Sequence, residues 1–133
     1  MSPKDYSIRI NNPAFRKDPD NERKVILTED LMFSRELPGG GGIIIVVPEG
    51  YSTDFASIPA PLRAFIPPMG VWDRACIVHD YLCDQWKEGV TRFEADACFL
   101  VVARHTGVPY WKAMSMFLGI RFFSVITGKD WRV

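Results

Sequence analysis

Apolar and polar residues alternate along Tyr6-Ser7-Ile8-Arg9-Ile10, the period-two spacing of a half-buried strand. Val25-Ile26-Leu27 and Leu31-Met32-Phe33 are short apolar runs with strand character. Between them and the first strand, Arg16 to Lys24 is charged and contains Asp18-Pro19-Asp20-Asn21, which predicts a solvated loop. The clearest strand is Ile43-Ile44-Ile45-Val46-Val47, a β-branched run closed by Pro48 and Gly50. Pro38-Gly39-Gly40-Gly41-Gly42 precedes it. A phosphate-binding glycine loop opens a helix, whereas these glycines lead into a strand, so they predict a hairpin turn.

The periodicity then changes. From Val71 to about Trp86, the residues Trp72, Ala75, Cys76, His79, Leu82, Cys83 and Trp86 recur at helical spacing along one face. Thr91-Arg92-Phe93-Glu94 has the capping-box pattern and starts a helix that reaches about His105-Thr106 and stops at Gly107. Pro109 opens a last helix running to about Thr127, before Gly128. That helix carries Met114, Met116, Phe117, Leu118, Ile120, Phe122, Phe123, Val125 and Ile126, the composition of a buried central helix. Lys112 and Arg121 interrupt it, so it is not read as a transmembrane span. The sharper alternative is that one side of it docks on a partner protein or a lipid surface. The layout is α+β: a small antiparallel β layer from the N-terminal half packed on a three-helix C-terminal half, in one domain over residues 1–133.

Composition narrows the function classes. Hydrophobic residues make up 47% and charged residues 24%, an ordinary globular balance. The 16 basic and 16 acidic residues cancel and form no basic run, which speaks against nucleic-acid binding. The opening Met1-Ser2-Pro3-Lys4-Asp5 lacks the pattern of a secretory signal. Cys76, Cys83 and Cys98 are odd in number, and the first two share a helix too far apart to bridge; a Cys98 bridge to either is geometrically open, but free thiols in a reducing compartment are expected. Cys76, His79, Cys83 and Cys98 are soft ligands, but the paired C-x-x-C spacing of structural zinc sites is absent.

Three polar stretches concentrate the candidate chemistry: Tyr51 to Pro59, Cys76 to Cys83, and Arg92 to Asp96. His79 projects from an apolar helix face, where an imidazole needs a hydrogen-bond partner. Asp96 on the next, antiparallel helix is the candidate, offset by roughly one helical turn (~5 Å). An imidazole held by a carboxylate acts as a general base for water. Asp80 points about 100° away from His79 and is placed to take calcium with loop carbonyls or Asp54. Ser57, Tyr81 and Arg92 complete the candidate set. The plainer reading makes His79 a satisfied core histidine and pairs Asp80 with an arginine such as Arg74. In that reading Asp54 and Ser57 bond their own turn backbone.

The stretches Thr53-Asp54-Phe55-Ala56-Ser57-Ile58-Pro59, His79-Asp80-Tyr81-Leu82 and Arg92 with Ala95-Asp96 resemble a family of small proteins of unknown function frequent in tailed phages and prophages. More distantly, Cys76-x-x-His79-Asp80 followed by Asp96 resembles the paired helices of secreted type-A-two phospholipases. That resemblance implies His79 as the base for water, Asp80 as a calcium ligand and Asp96 as the residue orienting His79. The sequence departs from that pattern: Cys83 stands where the phospholipases carry Tyr, Pro67-Pro68-Met69-Gly70 replaces the calcium loop, and the disulfide framework is missing.

Two functions follow as expectations. One is a phage-encoded, calcium-dependent hydrolase of lipid or another ester. The other is a non-enzymatic virion structural or assembly protein, partnered by other phage structural proteins, with the His/Asp set as an internal brace. Either places the protein in the host cytoplasm, with incorporation into the phage particle as a further outcome.

Overall fold

A computed structural model of the protein describes residues 8–36, 39–54, 58–64, 71–86 and 89–132. Tyr6-Ser7 of the first expected strand, Ser57, and Pro67 to Gly70 lie outside the described residues. The chain divides into two compact units, Met1–Asp54 and Phe55–Val133.

The described strands of the first unit are all antiparallel, in two three-stranded sheets. One sheet consists of β1 (Ile8–Ile10), β4 (Leu31–Glu36) and β5 (Gly42–Val47), in the order β1-β4-β5. The register opposes Phe33 to Ile45 and Leu31 to Val47, and these four side chains are buried together on one face. Met32, Ile44 and Val46 project from the other face and are exposed. The glycine run is the expected hairpin: Gly39, Gly40 and Gly41 have positive φ, and Glu36 pairs with Gly42. A Cβ at Gly42 would stand 2.7 Å from the Arg35 carbonyl oxygen, so glycine is required where the strands rejoin.

The second sheet contains β2 (Phe15–Asp18), β3 (Asn21–Leu27) and the two-residue β6 (Ser52–Thr53), in the order β2-β3-β6. The expected loop from Arg16 to Lys24 is therefore corrected to a hairpin. Phe15 pairs with Leu27 and Lys17 with Val25, and Pro19-Asp20 forms the turn, where Asp18 accepts a hydrogen bond from the Asp20 amide. The charged run from Arg16 to Lys24 has no hydrophobic alternation, so backbone pairing alone extends the strand expected at Val25-Ile26-Leu27 into this hairpin.

The second unit is helical. A short α1 (Ala60–Arg63) precedes α2 (Asp73–Gln85), α3 (Arg92–His105) and α4 (Tyr110–Ile126). These last three are the expected helices, which completes the α+β layout. The capping box at the start of α3 is present in full: the Glu94 amide donates to Thr91 Oγ1 at 3.1 Å and the Thr91 amide to Glu94 Oε1 at 2.8 Å. Gly107 follows α3 with φ of 109°, as a helix stop requires.

The central helix is α2 rather than α4, a correction to the sequence reading. Residues of α2 from Ala75 to Asp80, with Leu82 and Cys83, are all buried. Helix α4 buries only the line Ala113, Met116, Ile120 and Ser124, and leaves Trp111, Leu118, Phe122, Val125 and Ile126 exposed. Its apolar content is spread over two opposite faces, and only one of them meets the core. Among the described residues, no helix is long and apolar enough to cross a membrane.

The capping box yields a first test. Thr91→Ala removes one of its two reciprocal bonds and should cost about 1 kcal/mol of stability in urea unfolding, whereas Thr91→Ser should cost much less.

Candidate functional site

The site is built on α2 and α3, which pack side by side, with α4 against α3. Trp72 stacks on Phe99 with ring centroids 5.7 Å apart, and Phe99 in turn presents its ring edge-on to His79 at 5.8 Å. These aromatic contacts help to seat the imidazole, which meets Asp96 on the next helix. His79 Nε2 lies 2.6 Å from Asp96 Oδ1, closing the one-turn offset that chain counting leaves between them. Both side chains are 0% exposed.

Asp96 is a hub rather than one half of a dyad. Its Oδ1 also accepts from Arg92 Nε at 2.8 Å, the i,i+4 neighbour on α3. Its Oδ2 accepts from Arg121 Nη1 of α4 at 2.8 Å and lies 3.1 Å from Ser124 Oγ. Ser124 shares its single hydroxyl proton between Asp96 and the Ile120 carbonyl, 2.8 Å away. Arg121 uses its second nitrogen, Nη2, to reach Asp130 Oδ1 at 2.9 Å. The second oxygen of Asp130 lies 3.5 Å from Arg132 Nη2, so the carboxylates of Asp96 and Asp130 are each met by guanidinium groups.

The segment after α4 closes the site. Trp131 donates from Nε1 to the Val90 carbonyl at 2.9 Å, and its own carbonyl accepts from the Arg92 amide at 3.2 Å. The Arg92 guanidinium sits over the Trp131 ring, and that of Arg121 over Phe93.

Electrostatics follow from burial and charge. Burial is the larger influence on His79 and holds its pKa below the ordinary value, against the pull of Asp96. The ring is therefore neutral near pH 7 and donates from Nε2. For Asp96, burial raises the pKa, but the hydrogen bond from His79, the charge of Arg92 and the hydrogen bond from Arg121 outweigh it and hold the carboxyl below its usual range. Burial pushes the Cys83 thiol up to about 12 and that of Cys76 higher still. Both stay protonated near neutral pH, which makes them poor nucleophiles. The described cysteines are free.

Asp80 is buried on α2, Tyr81 is half-buried beside it, and Asp54 ends the first unit. Among the described residues, no three His, Cys, Asp or Glu side chains converge as a metal-binding group. A cavity of about 530 Å³ lies elsewhere in the helical unit, with Leu62, Trp72, Val108, Trp111 and Met116 on its walls and none of His79, Asp80 or Asp96. Sequence reasoning missed Arg121, Ser124, Asp130 and Trp131 as members of the centre. A signal for the first existed: a lone arginine inside an apolar helix needs an acidic partner.

Two predictions follow. Asp96→Asn removes the carboxylate that His79, Arg92 and Arg121 share and should destabilise the protein by about 3–5 kcal/mol in chemical denaturation. The depressed pKa of His79 means that the unfolded chain takes up a proton below about pH 6.5 while the folded chain does not. The contribution of His79 to stability is thus full above that pH and is lost as pH falls toward the folded value. Urea unfolding at about pH 7.5 and about pH 5.5 should show this loss. His79→Gln should flatten it.

A family model described as protein of unknown function (DUF1353) matches residues 26–120, a span that takes in His79, Asp80, Arg92 and Asp96. No curated protein and no solved structure matches the chain. By the extent of the family match, the chain belongs to this family of proteins of unknown function.

Proposed function

We propose that this protein works by association rather than catalysis, as a phage-encoded structural or assembly component in which His79, Asp96, Arg92 and Arg121 form an internal brace. One observation carries the reading: Asp96 is fully buried and both of its oxygens are already occupied by donors from three helices. A general base must reach the proton it removes, directly or through one water. His79 is as buried as Asp96 and packs edge-on against Phe99. The phage setting rests on the resemblance carried by the Thr53–Pro59 and His79–Leu82 stretches.

The 2.6 Å contact between His79 Nε2 and Asp96 favours a second reading, because it is the pairing that a hydrolase of the phospholipase kind uses. There, His79 would be the base and Asp96 its orienter, with Asp80 and Asp54 as calcium ligands and lipid or another ester as substrate. Ser57, Tyr81 and Arg92 would line or support that site.

Hydrolysis of phospholipid in mixed micelles separates the two, with calcium and with chelator, for the wild-type chain and for His79→Gln. The brace predicts no turnover in either condition and a variant less stable by a few kcal/mol, the scale of a broken buried polar network. Calcium-dependent turnover that disappears in a folded variant would establish the hydrolase instead.

A further inference from the structure

We infer that the exposed face of α4 is a self-association surface that pairs with α4 of a second copy of this chain. The inference deepens the association reading above and rests on it. Trp111, Ser115, Leu118, Phe122 and Val125 follow one another at intervals of four, three, four and three residues, and all five are exposed. The large ones are well exposed, at 66% for Trp111, 58% for Leu118, 61% for Phe122 and 58% for Val125. This alternation averages 3.5 residues, the spacing that keeps a seam facing another helix. The buried line Ala113, Met116, Ile120 and Ser124 runs along the opposite side of the same helix.

The area suffices for a stable pair. Side chains of this size at this exposure present roughly 500–600 Å² per copy, so a symmetric contact with its flanking residues buries on the order of 1,200 Å² in total, at the lower bound for specific interfaces. Ser115, the one polar residue in the seam, already donates its hydroxyl to the Trp111 carbonyl at 2.6 Å, so no unsatisfied donor is buried on pairing. Trp111 and Ser115 also lie on the wall of the 530 Å³ cavity, which gives the seam a concavity for a partner's side chain.

Charge selects the occupant. A helix that lies on a lipid surface carries a polar face rich in Lys and Arg. The charged residues of α4 are Lys112 and Arg121, and Arg121 is committed to Asp96 and Asp130. A second copy needs no such charges. A two-fold antiparallel arrangement also sets the two Lys112 side chains at opposite ends, where a parallel one would juxtapose them.

Sedimentation equilibrium of the full chain over a range of concentrations tests the inference. The wild type should form a dimer, and Leu118→Asp should weaken self-association at least about 30-fold, as at a central interface position. Leu118→Met should retain it, and so should Met32→Asp on the exposed sheet face. Thermal melts establish that each variant is folded, with Val125→Asp as the alternative if Leu118→Asp is not. A wild-type chain that stays monomeric overturns the inference, as does a Leu118→Asp or Val125→Asp dimer as tight as wild type. A monomer that co-sediments with phosphatidylcholine or phosphatidylglycerol vesicles overturns it in favour of lipid. Monomeric behaviour without hydrolysis defeats only the dimer. Calcium-dependent turnover defeats the association reading, whatever the sedimentation result.

Discussion

A carboxylate withdrawn from water is the constraint on which the helical unit depends. Burying a charge costs several kcal/mol unless its lone pairs are met and its charge is balanced. Asp96 is met from α2 by His79, from its own helix by Arg92, and from α4 by Arg121 and Ser124. Each donor fixes the rotation of its helix about its own axis, because a hydrogen bond near 2.8 Å leaves little freedom of register. One acidic side chain thereby sets how three helices meet. Arg121 extends the control to Asp130, and Trp131 pins the same segment to the start of α3.

The carboxylate of Asp96 serves several donors at once, and the imidazole of His79 is fully buried against Asp96 and Phe99. A fully satisfied polar network in a low-dielectric interior is rigid, and its members strengthen one another. The raised pKa values of Cys76 and Cys83 belong to the same dry environment, which keeps neighbouring thiols protonated and inert.

Helix α4 differs on its two sides. Its inner line brings Ser124 to Asp96 and packs Ala113, Met116 and Ile120 into the core, with Arg121 at the edge. Its outer line keeps large apolar side chains in solvent. The close approach of α1 is set from this helix as well: a Cβ at Gly119 would stand 3.0 Å from the Leu62 side chain.

Local signals made much of this legible. The capping box at Thr91 and Glu94 and the stop at Gly107 bound α3, because caps and left-handed glycines act within one turn of chain. The run Ile43 to Val47 declares its strand by β-branching, and helical spacing places His79 inward with Asp96 on the following helix. The hairpin from Phe15 to Leu27 shows in the sequence only at Val25-Ile26-Leu27, since the charged run from Arg16 to Lys24 carries no hydrophobic period and its pairing is set across the turn. The sequence by itself determined the helices, the strongest strands and the candidacy of His79 and Asp96, all of which depend on neighbours within a few residues. Only the tertiary structure decided that α2 is the central helix and that Arg121 and Ser124, 25 and 28 residues beyond Asp96, share its carboxylate. Burial and charge compensation belong to whichever distant residues meet in space, and no periodicity along the chain encodes that meeting.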